Sequence, residues 1–85
     1  MNKIIFSRQA LKSLKRIPRK DQERIRRAIG ILAENPRQIG VVKLTAFGAA
    51  DYRLRVGNYR ILFDIWEERK ILMILDIKRR TSTTY

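Results

Sequence analysis

The sequence predicts a small α+β domain, one domain over residues 1–85, with a two-helix hairpin packed on a sheet made of antiparallel hairpins. Three observations lead there. The first half carries apolar residues at helical spacing: Ala10, Leu11, Leu14 and Ile17, then Ile25, Ala28, Ile29, Leu32 and Ala33. The second half changes to a period of two, plainest in YRLRVGNYR at residues 52–60. The chain is 45% hydrophobic, too apolar for a disordered basic tail and long enough to bury a core without disulfides or metals.

The elements follow in order. Residues 3–6 read as a short strand. Ser7 is placed to cap the free amides of a first helix that ends at Pro18, which lacks the N–H a helix interior needs. Pro18 can also open a second helix, running over residues 19–34 and stopping at Asn35-Pro36. Gly30, inside that helix, reads as a close-packing position. Residues 41–44 make a modest strand and 45–50 a loop of small residues. Residues 51–56 and 59–66 form a hairpin across Gly57-Asn58, where glycine supplies the positive φ a tight loop requires. Residues 67–70 are a charged turn. Residues 71–77 are apolar on both faces and predict a central strand covered on both sides. The order is β-α-α-β-β-β-β.

The hairpin raises the functional question. Its alternation sets Arg55 opposite Arg60, with Arg53 two residues back on the same face. Two cations about 5.5 Å apart repel by roughly 1 kcal/mol in water and up to about 3 at an effective dielectric near 20. A domain this small has little stability to spare. An anionic ligand would offset the repulsion, and guanidinium groups match phosphate oxygens in pairs. The alternative is a solvated basic face.

Composition narrows the function classes. Twenty basic residues against eight acidic ones give a net charge of +12, which suits nucleic acid, an anionic membrane surface or an acidic protein. The absence of Cys and His excludes a disulfide scaffold, a zinc site of the usual soft ligands, and a Cys or His nucleophile or base. No cofactor or metal is expected. The amino-terminal segment lacks the long apolar core of a signal peptide, and no stretch is long enough to span a membrane, so a cytoplasmic location without a membrane partner is expected. The tail KRRTSTTY follows the last strand directly and joins three cations to four hydroxyl residues and Tyr85.

Three features in sequence resemble the RelE branch of the RelE/ParE toxin superfamily, the small basic toxins of bacterial toxin–antitoxin pairs. They are the opening strand followed by SRQALKSLKRIP and a second helix ending in NP, the segment YRLRVGNYRILF, and KRRTSTTY with an arginine six residues ahead of a tyrosine. The resemblance spans essentially the whole chain. It implies a RelE-like fold and a ribonuclease that cuts messenger RNA in the ribosomal A site, through attack of the ribose 2′-hydroxyl on the adjacent phosphate. The site residues it implies are Arg53, Arg55, Arg60, Arg79 and Tyr85, with Arg60 and Arg79 clamping phosphate oxygens and Tyr85 stacking on a base. Lys78, Arg80, Lys43 and Ser82 are the accompanying RNA-binding candidates. The partners implied are an acidic RelB-like antitoxin, the ribosome and mRNA, with operator DNA met only through the antitoxin complex.

The chain departs from the family pattern at Arg53 and Arg55, where relatives often carry lysine. Arginine does not give up its proton, so a general acid or base must come from elsewhere, with Lys78, Tyr85 and ribosomal RNA as candidates. The chain also ends at Tyr85, where some relatives continue into another helix. Two other readings stand beside the ribonuclease: a ParE-like inhibitor of DNA gyrase without nuclease activity, and a catalytically weak RNA- or ribosome-binding relative.

Overall fold

In the computed structural model, which describes residues 2–36, 40–43 and 51–79, the chain runs β1 (Lys3–Phe6), α1 (Arg8–Lys15), α2 (Arg19–Glu34), β2 (Val41–Lys43), β3 (Tyr52–Val56), β4 (Tyr59–Trp66), a 3-10 turn (Glu67–Arg69) and β5 (Ile71–Arg79). The five strands form one sheet in the order β1-β5-β4-β3-β2. Neighbours pair antiparallel except β1 and β5, which run parallel. The helical hairpin carries the chain across the sheet from β1 at one edge to β2 at the other, and β3 and β4 then return it to β5, which lies beside β1.

Local chemistry sets the joints. Ser7 Oγ accepts the Ala10 amide at 3.0 Å and so caps α1, while its hydroxyl donates to the Leu75 carbonyl at 2.6 Å. One side chain thus starts the helix and fastens it to β5. Gln22 closes the turn between the helices, donating through Nε2 to the carbonyls of Leu14 (2.8 Å) and Ile17 (2.9 Å). Gly57 takes the left-handed conformation, φ 58°, at the β3–β4 loop, as the hairpin requires.

Both helices pack on one face of the sheet. The buried cluster joins Ala10, Leu14, Ile25, Ile29 and Leu32 from the helices to Leu54, Ile61, Phe63, Leu72, Ile74 and Ile77 from the strands. Tyr52 and Phe63, a cross-strand pair on this face, stack with ring centroids 5.7 Å apart. The other face carries neither helix.

Several expectations shift. The strand expected over 41–44 is described as Val41–Lys43, with Leu44 and the 45–50 loop outside the described residues. The last strand extends two residues into the presumed tail, to Arg79. It is central in that β1 and β4 flank both its edges, yet the helices cover it on one face alone. Leu72, Ile74 and Ile77 are buried, whereas Ile71, Met73 and Leu75 are half-buried among their sheet neighbours. Gly30 is not held by close packing: a Cβ there would meet nothing within 4 Å.

Candidate nucleic-acid interface

The register of the hairpin fixes where its cations point. Arg55 pairs with Arg60, Arg53 with Leu62, and the buried Leu54 with the buried Ile61. Side chains of paired residues share a face, so Arg53, Arg55 and Arg60 stand together on the face the helices leave open. They line a shallow depression of about 370 Å³, completed by Gly40 and Val42 from the β2 side. Val42 belongs there because it pairs with Arg53. Arg53 is half-buried; Arg55 and Arg60 are exposed. The Arg55 Nε–H donates only weakly, to the Gly57 carbonyl at 3.5 Å. Among the described residues, no carboxylate is hydrogen-bonded to any of the three.

A bulge decides which residue of β5 joins them. The β4–β5 register pairs Leu62 with Asp76 but Phe63 with Ile74, leaving Leu75 as the extra residue. Strict alternation from the buried Leu72 and Ile74 would turn Lys78 toward the helices and Arg79 toward the open face. The bulge inverts this. Ile77 goes into the core, Lys78 stands across from Arg60 on the open face, and Arg79 stands across from Tyr59 on the helix-bearing face. Asp76 holds the bulge in place: its Oδ1 accepts the Ile77 amide at 2.8 Å and the Ser13 hydroxyl at 2.6 Å.

The structure therefore gathers Arg53, Arg55, Arg60 and Lys78 and sends Arg79 elsewhere. The expected clamp of Arg60 with Arg79 spans opposite faces of the sheet. Lys43 also lies off the cluster, since it pairs with Tyr52 on the helix-bearing face at the sheet's edge. Arg80, Ser82 and Tyr85 lie outside the described residues. Three contributors were not legible in the residues: Gly40 and Val42 shape the depression, and Arg24 of α2 reaches the hairpin loop, where a Cβ on Gly57 would stand 3.1 Å from its Nη1.

Two titrating groups frame the arrangement. Tyr59 is buried and donates its hydroxyl to Asp21 at 3.1 Å. Burial raises its pKa, the Asp21 hydrogen bond and charge add to this, and Arg79 opposes it. The phenol is thus kept neutral as a core group. Asp64, on the open face one pair beyond Leu62, accepts the Asp51 amide at 2.7 Å. Burial raises its pKa as well; the hydrogen bond from Asp51 lowers it in part and the Asp51 charge raises it. Asp64 puts one carboxylate on the open face beyond Leu62, and the turn that follows β4 carries Glu67 and Glu68 beside Arg69 and Lys70. Among the described residues no three His, Cys, Asp or Glu side chains gather into a metal-ligand set, and no helix is long and apolar enough to cross a membrane.

An unfilled row of cations on an open sheet face can bind a polyanion and stabilise charge that develops on it. Known proteins provide an independent comparison. The family described as the ParE toxin of type II toxin–antitoxin systems, parDE, matches residues 4–83. Among solved structures, the Mycobacterium tuberculosis RelBE2 toxin–antitoxin complex contains a chain with 25% identity and a TM-score of 0.82, the match covering 93% of this chain and 98% of that one. The archaeal RelE–RelB complex of Pyrococcus horikoshii aligns at 28% identity and TM-score 0.79 over 96% and 98%. The isolated Escherichia coli RelE toxin, at 16% identity, shows the same fold with a TM-score of 0.82 over 98% of this chain and 88% of that one. No curated protein matches the sequence.

Proposed function

The chain belongs to the ParE toxin family of type II toxin–antitoxin systems, within the RelE/ParE superfamily, and we propose that it acts as a RelE-type toxin, a metal-independent endoribonuclease that cuts messenger RNA in the ribosomal A site. The observation that carries this reading is the Arg55–Arg60 cross-strand pair, flanked by Arg53 and Lys78 on a sheet face without helices. The repulsion within this group is offset when a phosphate sits among its members.

In the proposed reaction, the ribose 2′-oxygen bonds to the adjacent phosphorus and the bond to the 5′-oxygen breaks. The products are a 2′,3′-cyclic phosphate and a 5′-hydroxyl. Arg55 and Arg60 hold the non-bridging oxygens and stabilise the charge that grows there. Arg53 binds the next phosphate along the strand. Lys78 protonates the leaving 5′-oxygen, because it is the cluster's one cation that can release a proton; the guanidinium groups cannot. The 2′-hydroxyl proton passes to a group supplied by the ribosome or by Tyr85.

The chain's partner in this reading is an acidic, RelB-like antitoxin in the cytoplasm. The solved relative from M. tuberculosis is a toxin–antitoxin complex and that from P. horikoshii a RelE–RelB complex. Operator DNA is reached only through the toxin–antitoxin complex. Two observations favour a second reading, inhibition of DNA gyrase: the matching family is described by its ParE member, and Arg79 stands apart from the other arginines. Primer extension on mRNA held on ribosomes with an empty A site separates the two. Cuts that require ribosomes and vanish in Lys78→Ala support the nuclease. An intact message, together with gyrase inhibition by the same preparation, supports the second reading.

A further inference from the structure

The helix-bearing face has a cleft of its own at the end of β5. It encloses about 280 Å³ between the end of α1 and the last residues of the strand. Ile17, Ile77 and Tyr59 give it an apolar lining, and the exposed residues Arg16 and Arg79 line it beside them. Its walls are fastened. Ser13 ties α1 to β5 through Asp76 at 2.6 Å, and Gln22 locks the turn that presents Arg16. The nearby carboxylate of Asp21 is engaged by the Tyr59 hydroxyl.

This cleft backs directly onto the open-face cluster. Lys78 and Arg79 are consecutive residues with opposite directions, one beside Arg60 and the other beside Arg16. Arg24, lying over Gly57, continues the cations around the hairpin loop. Cations thus stand on both faces at this end of the sheet and beside the hairpin loop, with the Asp21 carboxylate among them.

We infer that single-stranded RNA rounds the end of β5, and that the helix-face cleft takes one nucleotide adjoining the cut, its phosphate between Arg16 and Arg79 and its base on the apolar lining. Arg16 is a positioning residue in this scheme and touches no reacting atom. Apolar and aromatic contact accepts any base, and guanidinium groups match phosphate oxygens in pairs. This inference rests on the RNA reading of the open face but adds a site on the opposite side of the sheet.

The test is fluorescence anisotropy of a labelled single-stranded hexaribonucleotide across a salt series. The intact chain is compared with Arg16→Ala, Lys15→Ala and Arg60→Ala. Lys15 is an exposed cation one residue from Arg16 that does not line the cleft, so it measures the effect of losing any charge. Arg16→Ala is expected to weaken binding about five- to ten-fold and to reduce the salt slope by about 0.7, with Lys15→Ala changing affinity less than about two-fold. Equal effects of Arg16→Ala and Lys15→Ala, with Arg60→Ala clearly weaker in binding, overturn the cleft and leave the open-face reading intact. Binding that no variant alters overturns both. Circular dichroism of each variant separates loss of contact from loss of fold.

Discussion

The two faces of the β3–β4 hairpin are built from alternate residues of the same strands, yet they do opposite things. Leu54, Ile61 and Phe63 go under the helices and are almost wholly removed from water. Arg53, Arg55 and Arg60, one residue out of step, bring like charges together in the open. The first face lowers the free energy of the folded chain; the second raises it. A sequence under selection for stability alone would alternate signs on the open face, where cross-strand opposite charges contribute roughly 0.2–1 kcal/mol each. On the proposed reading, the cations mark the face where the chain meets its RNA.

The largest effect that sharpens this contrast belongs to the covered face. Phe63 is fully buried at the centre of the cluster. Phe63→Ala should remove about 3–5 kcal/mol, a large part of the 5–15 typical of a domain, and lower the urea midpoint accordingly. A smaller and opposite change is expected at Gly30. Its added methyl meets no atom within 4 Å, so Gly30→Ala should raise stability by about 0.5–1 kcal/mol in the same assay.

The smallest effect belongs to the one carboxylate placed on the open face of β4, Asp64. Asp64 binds its proton more tightly in the folded chain than in the unfolded one. Its contribution is therefore full below the ordinary aspartate pKa and is lost as pH rises through the raised folded value. Asp64→Asn, whose amide oxygen can still accept the Asp51 N–H, should flatten the stability–pH curve across that window, with a change at neutral pH within about 0.5 kcal/mol. Midpoints measured at a series of pH values check the sign. Tyr59 predicts a further decline at the alkaline end, since its phenol is also held neutral by the fold.

Much of this architecture was legible in the residues. Ser7 as a cap, Pro18 as the break between helices, the second helix over Arg19–Glu34 and the Gly57-Asn58 loop all depend on local chemistry, and all are present. The shared face of Arg53, Arg55 and Arg60 was legible for the same reason, because alternation across a tight hairpin leaves no freedom. What the sequence hid is non-local. The parallel pairing of β1 with β5 joins the first strand to the last, which periodicity does not report. The bulge at Leu75 rests on hydrogen bonds from residues more than sixty positions away, Ser7 to Leu75 and Ser13 to Asp76. One inserted residue exchanges the directions of Lys78 and Arg79, and with them the partner of Arg60. A residue-by-residue resemblance to relatives can place Arg79 in a list of site residues, but its direction is settled by the fold of this chain.

The most direct test of the central claim is one double variant read in two ways. Arg55→Ala/Arg60→Ala removes the opposed pair. If the pair exists for a phosphate ligand, ribosome-dependent cleavage of mRNA should fall by about 100-fold or more, while the urea midpoint stays unchanged or rises. A variant that cuts as the intact chain does, or one whose cleavage falls only because the fold is lost with it, would contradict the account.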